Sequence, residues 1–465
     1  MVSIPLLSGI IANEQAEFVQ SLPVNLEPII IDSGISKGML RSATGCVSIA
    51  TGPGIDRGGI AWNGTLHRVM GTKLVSIDHN GSITVLADLP GSGAVTMTYG
   101  FDRLAIRSGT TLYYWDGASL DTVTNSNLGS CLSVVWMSGY FVSTDGTSIV
   151  VTDLANPLNV NPLKYGSAEQ DPDPIVALFR VRNELYALGG NTVEVYTLDA
   201  NAGAGFPFQV NEGATIPVGC LNPQAVCDFQ QSFAFVGGGR NQANGVWLAQ
   251  GGTGQKLSTR LIDDAIAGLA DTTRVALESR ISRDEERLIL HLEDRSFAYF
   301  VTASAKAGEP VWIELRSGTG MNEPYRMRNA IYCYGKWFVG DYASAQIGLL
   351  EDGVVGHFGE PAGERADTMM LYNEGNGAII HELELIGANG RVGQDPQVFL
   401  SFTTDGETYT MERACSSGPK ARRSRRVSWR PHKRVQRYIG LRLRSDGSGL
   451  QSWAALEASI EPLAS

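Results

Sequence analysis

The sequence reads as an all-β chain, an irregular β-propeller of about six to seven blades followed by a β-sandwich platform. Three observations point there. Ten Asn-Gly or Asp-Gly dipeptides punctuate the chain, at Asn63, Asn80, Asp116, Asp145, Asn244, Asp352, Asn376, Asn389, Asp405 and Asp446. Such pairs supply the positive φ angles of tight hairpin turns. Between residues 60 and 350 a unit of strand, turn, strand, Gly-rich turn and strand recurs. Beyond about residue 370 the repeat gives way to longer alternating strands.

Composition supports an ordered chain. The 465 residues are 43% hydrophobic and 18% charged, with 54 Gly and 19 Pro and no Gly-x-y period. That is enough apolar material for a core and excludes a disordered or collagen-like polypeptide. No apolar run approaches the ~18 residues of a membrane helix. The first basic residue is Lys37, so the start lacks the positive region of an export signal. The six Cys, at 46, 131, 220, 227, 333 and 415, have neither disulfide-framework nor zinc-ribbon spacing and read as buried thiols.

Aligning the middle strands of the repeat on Leu66, Leu104, Phe141, Leu185, Phe233, Leu288 and Phe338 gives spacings of 38, 37, 44, 48, 55 and 50 residues. Propeller blades repeat at about 40–50 residues, and small radial sheets need no long strand. Helical spacing occurs around Leu261-Ile-Asp-Asp-Ala-Ile-Ala-Gly-Leu269, which reads as an insertion between blades, and residues 11–20 read as another short helix. After residue 370, His381–Ile386 and Val398–Phe402 alternate, Thr404–Glu407 turns the chain, and Ile439, Leu441 and Leu443 face opposite to Arg442 and Arg444. The expected division is an N-terminal segment joining the platform at 1–55, a propeller at 56–365, and a sandwich platform at 366–465.

Charge is unevenly placed. Residues 413–445 hold twelve Lys/Arg and no acid, so the rest of the chain carries 25 bases against 48 acids, a balance of −23. A strongly acidic body repels phosphates and does not wrap nucleic acid, whereas the basic block reads as an attachment face displayed on strands. Residues 416–428 read as a mobile loop leading into it.

The chemistry search is largely negative. There is no phosphate loop, no His-Glu-x-x-His, and no nucleophile elbow. Gly52-Pro-Gly54 with Gly58 has the wrong spacing for a dinucleotide fingerprint. The histidines at 67, 79, 291, 357, 381 and 432 have no metal-ligand spacing and read as structural or surface residues. Asp171-Pro-Asp173-Pro pairs two acids in an extended linker and reads as a loop. No catalytic residue, metal site or cofactor is expected, and the chain reads as a non-enzyme.

One segment is distinctive: Glu194-Val-Tyr-Thr-Leu-Asp-Ala-Asn-Ala-Gly-Ala-Gly-Phe-Pro-Phe208-Gln-Val-Asn-Glu-Gly213-Ala-Thr-Ile-Pro-Val-Gly219-Cys220. Leu22-Pro-Val-Asn25, Gly38-Met-Leu-Arg41 and Gly52-Pro-Gly54 precede it. Leu400-Ser-Phe-Thr-Thr-Asp-Gly406, Trp429-Arg430 and Arg437-Tyr-Ile-Gly-Leu-Arg442 follow it. In this order they resemble the packaged-DNA stabilisation proteins, also called tail hub or tail nozzle proteins, of short-tailed double-stranded DNA bacteriophages (podophages). The resemblance spans nearly the whole chain. It implies a propeller plus a platform built from both chain ends, and six copies in a ring below the portal and adaptor. That hexamer would extend the DNA channel, retain packaged DNA and open for ejection. The implied partners are the adaptor (head-to-tail connector), tail fibre, tailspike or needle proteins, and the passing double-stranded DNA. The implied location is the virion tail, after synthesis in the bacterial host cytoplasm, without membrane insertion. The residues expected to meet the adaptor, or alternatively DNA, are Arg422, Arg423, Arg425, Arg426, Arg430, Lys433, Arg434 and Arg437, because guanidinium forks suit carboxylates. Two alternatives are a propeller hydrolase acting on host surface glycan and a propeller scaffold with a peptide partner.

Overall fold

A computed structural model describes the chain except residues 1, 5, 7–8, 10–20, 31–37, 101, 155, 169–172, 283–284, 374–375, 389, 391–394 and 464–465. The expected helix at 11–20 and Asp171 of the paired acids lie outside the described residues. The chain forms two compact units. One comprises Ile49–Glu293 and Met327–Leu349, the other Met1–Ser48, Asp294–Arg326 and Leu350–Ser465.

The unit of Ile49–Glu293 and Met327–Leu349 is a ring of meanders. Five complete four-stranded antiparallel sheets follow one another, starting at Asp56–Trp62, Val95–Tyr99, Ser133–Met137, Ile175–Val181 and Val226–Phe229. A sixth begins with the hairpin Ala276–Ser282 and Glu285–His291. A seventh begins with Met327–Cys333 and Lys336–Asp341. First strands pack beside first strands from the first meander to the fourth and from the fifth to the seventh, Phe179 on the fourth meets Phe233 on the fifth with ring centroids 5.2 Å apart, and the first strand of the seventh packs beside that of the first, so the ring closes. This is a seven-bladed propeller, at the upper end of the expected range.

All seven aligned residues lie on the second strand of their meanders, and each is at most 5% exposed. A second strand is flanked on both sides within its sheet and covered on both faces by neighbouring blades, so it retains the strongest apolar signal. Some fourth strands, such as Leu120–Thr122 and Thr253–Lys256, are short, polar and largely exposed. The three-strand unit read from the sequence therefore becomes four.

Ring closure is polar. Arg68 and Asp56, both fully buried, pair at 2.9 Å. Arg68 also donates to the carbonyls of Asn329 and Phe338 in the seventh meander, and Asn329 Nδ2 donates to Asp56 at 2.7 Å. The Tyr334 hydroxyl donates to the carbonyl of Ile77 at 2.9 Å. Desolvating an ion pair is costly, and the seventh meander offsets part of that cost by bonding Arg68 Nη2 and Asp56 Oδ2, while Arg68 Nε and Asp56 Oδ1 are buried without a hydrogen bond.

The expected helix between blades is Arg260–Ala267, which buries Ile262 and Ile266 and leaves Leu261 half-buried. Of the expected positive-φ turns, those at Gly64, Gly81, Gly117, Gly146, Gly353, Gly390, Gly406 and Gly447 have that geometry. Gly245 and Gly377 do not. Gly245 opens a strand, where the ideal Cβ would meet Ser258 Oγ at 2.7 Å, so close packing is what selects glycine there. Asp173, the described member of the Asp-Pro pair, caps a turn by accepting from the backbone N–H of Asn191 at 2.5 Å.

The other unit holds two β-sheets. One has seven strands, with Leu26–Ile30, Gly38–Ser42, Ser452–Pro462, Ala378–Gly387 and Val427–Trp429 in that lateral order. Val2–Ile4 also pairs with Ser452–Pro462, and Lys433–Val435 with Ala378–Gly387. The second sheet runs Glu364–Asp367, Tyr438–Ser445, Gln397–Thr403 and Arg413–Ser416, with Leu371–Tyr372 added. Their inner faces share one apolar core including Leu26, Leu40, Leu383, Leu400, Trp429, Leu441, Leu443, Trp453 and Leu456. That is the expected sandwich, with Ile439, Leu441 and Leu443 turned inward. The short helix Val301–Ala307, ended by Gly308 at φ 75°, has no counterpart in the sequence reading.

The fragment Pro23-Val24-Asn25 is a staple within this unit. Val24 bridges Glu314 on one side and Arg365 on the other. Asn25, buried at φ 55°, donates through Nδ2 to the carbonyls of Arg316 at 2.9 Å and Gly363 at 2.7 Å. Its Oδ1 accepts from the backbone N–H of Arg316 at 3.0 Å.

Candidate functional site

The basic block occupies one lateral edge of the sandwich. Arg413–Ser416 is the last strand of one sheet and Val427–Trp429 the last of the other, and the two strands pack together. Edge strands carry unpaired backbone groups, and charged side chains there discourage uncontrolled strand addition. Val427 and Trp429 point into the core, so by strand alternation Arg426, Ser428 and Arg430 point outward.

The loop before Val427 is tied down. Ser417 donates through its backbone N–H and its hydroxyl to the carbonyl of Pro396, each at 2.9 Å. Ala421 N–H donates to the carbonyl of Gly390 at 2.9 Å. The arginines at 422, 423 and 425 are therefore exposed on a braced turn, and the expected loop ends where the strand begins at Val427.

The block has no acid in sequence, but the fold brings carboxylates to it. Arg426 grips Glu384 with a two-pronged contact, Nε to Oε1 at 2.7 Å. Arg430 lies 3.6 Å from Glu382. Arg442 forks onto buried Asp367 at 2.7 and 2.9 Å, and Arg444 forks onto Glu412 at 2.7 Å through both nitrogens. The Arg426 fork holds the Glu384 carboxyl below the usual carboxylate range, and that of Arg444 does the same for Glu412.

The eight residues singled out from sequence thus divide. Arg426 and Arg430 brace the edge against Glu384 and Glu382 while staying largely exposed. Arg422, Arg423, Arg425, Arg434 and Arg437 are exposed and Lys433 is half-buried. Arg437 lies over the Tyr438 ring, 5.6 Å from its centroid. Sequence reasoning missed Glu382, Glu384, Asp367 and Glu412 as counter-charges. The signal available was local: Glu382 and Glu384 are two apart on an alternating strand, which puts both on one face.

Among the described residues no group of three His, Cys, Asp or Glu is placed to hold a metal ion. Among the described residues no helix is long and apolar enough to cross a membrane. His381 and His432 pack edge to face at 5.7 Å beside this edge, and His381 Nε2 meets Glu461 at 2.8 Å.

Comparison with known proteins gives a consistent picture. The tail hub protein gp10 of Salmonella phage P22 is 26% identical over 464 residues, covering 95% of each chain. Among solved structures, the Neurospora crassa Pan2 WD40 domain matches at 9% identity and TM-score 0.41, over 66% of this chain and 93% of that one. The N-terminal domain of Nup159 matches at 9% and 0.39, over 71% and 98%. Likeness at those scores carries no argument. Residues 2–355 match the family described as bacteriophage P22 Gp10, β-propeller, and residues 364–461 match bacteriophage P22 Gp10, β-sandwich. The chain belongs to the bacteriophage P22 Gp10 family.

Proposed function

We propose that this chain is a structural tail hub of a short-tailed double-stranded DNA phage, and not an enzyme. Copies associate as a hexameric ring below the portal and adaptor, line the DNA channel, hold packaged DNA and release it into the host. The observation that carries this reading is the match to the family along nearly the whole chain, with a relative named for the tail hub role. The platform supplies the attachment. Arg422, Arg423, Arg425, Arg434 and Arg437, with Lys433, face a carboxylate-bearing surface of the adaptor, while Arg426 and Arg430 keep the edge rigid. Fork-shaped donors on a braced scaffold favour a fixed array of carboxylates, and they lose less conformational freedom on docking than a mobile tail. The rest of the chain, at −23, repels phosphates, as the wall of a channel through which DNA slides should.

The test is complementation. Purified protein is added to DNA-filled heads that carry portal and adaptor but lack this component. Binding at one vertex with DNA retained is expected. Absence of binding, or binding to heads stripped of the adaptor, overturns the reading.

A further inference from the structure

From Pro419 to Arg426 eight consecutive residues are exposed, the longest such run among the described residues. Five of them are basic: Lys420, Arg422, Arg423, Arg425 and Arg426. The run crosses from the last strand of one sheet to the last strand of the other. Its anchors lie outside it, with Ser417 and Gly418 buried before it and Val427 after it. Inside the run no side chain enters the core. Three backbone hydrogen bonds shape it, from Ala421 N–H to Gly390 at 2.9 Å, from Arg422 N–H to Pro419 at 3.1 Å and from Arg425 N–H to Arg422 at 3.3 Å. Opening it exchanges those bonds for bonds to water and exposes no apolar side chain. Segments of that kind open far more often than the fold as a whole, and exposed loop tips are where proteases cut.

The same bonds single out one peptide link. Residues 422–425 form a turn closed by Arg425 N–H, and Arg423–Ser424 is its central link. It stands between the Ala421 brace and the Arg426 fork on Glu384. The backbone of Arg422 lies against Gly390, whose ideal Cβ would sit 2.9 Å from it, so the link after Arg422 is covered on one side. Arg425 is followed at once by the forked Arg426 and then by Val427 in the core. Arg423 thus joins an exposed guanidinium to a small leaving residue.

We infer that the undocked chain carries a processing site at Arg423–Ser424 for a trypsin-like serine protease, and that the cut chain keeps its fold. Proteases of that class hold an arginine through a carboxylate in the primary pocket. The carbon–nitrogen link from Arg423 to Ser424 breaks, water supplies the oxygen of the new Arg423 carboxylate, and Ser424 leaves with an amino terminus. Residues 424–465 still supply Tyr438–Ser445 to one sheet and Ser452–Pro462 to the other, with Leu441, Leu443, Trp453 and Leu456 in the shared core. That core holds the two pieces together after the link is gone.

The test is brief digestion of the native chain with trypsin, read by mass spectrometry. The first cut yields 1–423 and 424–465, which separate in denaturant and co-elute in native gel filtration. Arg422→Gln with Arg423→Gln slows cutting in this loop at least tenfold. Asn25→Ala, which weakens the fold elsewhere, leaves the rate unchanged, because the rate follows the local opening. A first cut at another link, pieces that part without denaturant, a double variant cut as fast as the parent, or a rate that rises in Asn25→Ala overturns the inference. Its corollary rests on the attachment face proposed above: docking hides this link, so copies bound to heads resist trypsin there. If bound copies are cut as fast as free ones, the corollary is wrong and the tail reading stands. If the intact chain does not bind heads, it is the tail reading that fails, and digestion in solution still decides the site.

Discussion

Glu364 and Asp367 begin and end one four-residue strand, both buried, and their environments are opposite. Three residues apart, they project from opposite faces of the strand. Asp367 receives the Arg442 fork and the Ser21 hydroxyl at 2.6 Å. Burial opposes its ionisation, but Arg442 and Arg365 outweigh it and hold the carboxyl below its ordinary range. Glu364 has Ser42 and Ser445 near it and no cation, and burial pushes its carboxyl up to about 8.

These two groups set a pH dependence with two arms. Glu364 binds its proton more tightly folded than unfolded, so its contribution is complete below about pH 4.5 and is lost as pH rises to about 8. Over that span the loss is on the order of 5 kcal/mol. Glu364→Gln should flatten the alkaline arm of urea-unfolding free energy against pH. An unchanged arm would mean that Glu364 is solvated. Asp367 has the reverse sign: its contribution is present above about pH 4 and is lost as pH falls through its depressed value.

Replacing Asp367 with Ala strands Arg442, which lies partly covered over the Tyr409 ring. A loss of about 3–5 kcal/mol is expected in urea unfolding at pH 7. The double variant Asp367→Ala with Arg442→Met should recover part of it, because it removes the uncompensated charge along with its partner.

Trp429 Nε1 donates to the carbonyl of Arg413 at 2.8 Å, joining the two sheets at the basic edge. Trp429→Phe keeps most of the buried ring and leaves that carbonyl unmet, for an expected cost of about 1–3 kcal/mol. Trp429→Ala adds a cavity and should cost about 3–5 kcal/mol. Denaturant midpoints for the two variants, compared with the parent, check the order.

Asn25→Ala removes three side-chain hydrogen bonds and places a Cβ residue without Asn's tolerance at φ 55°. A loss of about 2–4 kcal/mol is expected. Asn25→Gly should lose the hydrogen bonds but not the backbone fit, and so fall less far in the same thermal-melt comparison.

Arg422→Glu with Arg423→Glu should leave the unfolding midpoint within about 0.5 kcal/mol, since both are exposed on the braced turn. Binding to adaptor-bearing heads should fall at least tenfold and steepen in salt dependence for the parent relative to the variant. Glu384→Gln is the counterpart: it frees Arg426 from its brace and should disturb the edge without removing a cation.

The sequence by itself determined the class of fold and the position of every blade. Leu66, Leu104, Phe141, Leu185, Phe233, Leu288 and Phe338 were legible because a strand covered on both faces must be apolar, and hydrophobicity is written one residue at a time. The outer strands were not legible, since a short exposed strand such as Leu120–Thr122 carries no apolar period. The tertiary structure alone decided which charges face which. Arg426 meets Glu384 across 42 residues and Arg442 meets Asp367 across 75. Nothing in local composition separates an arginine that braces its own sheet from one, such as Arg422, left facing outward. Coulombic pairing depends on distance in space, and only the folded chain sets that distance.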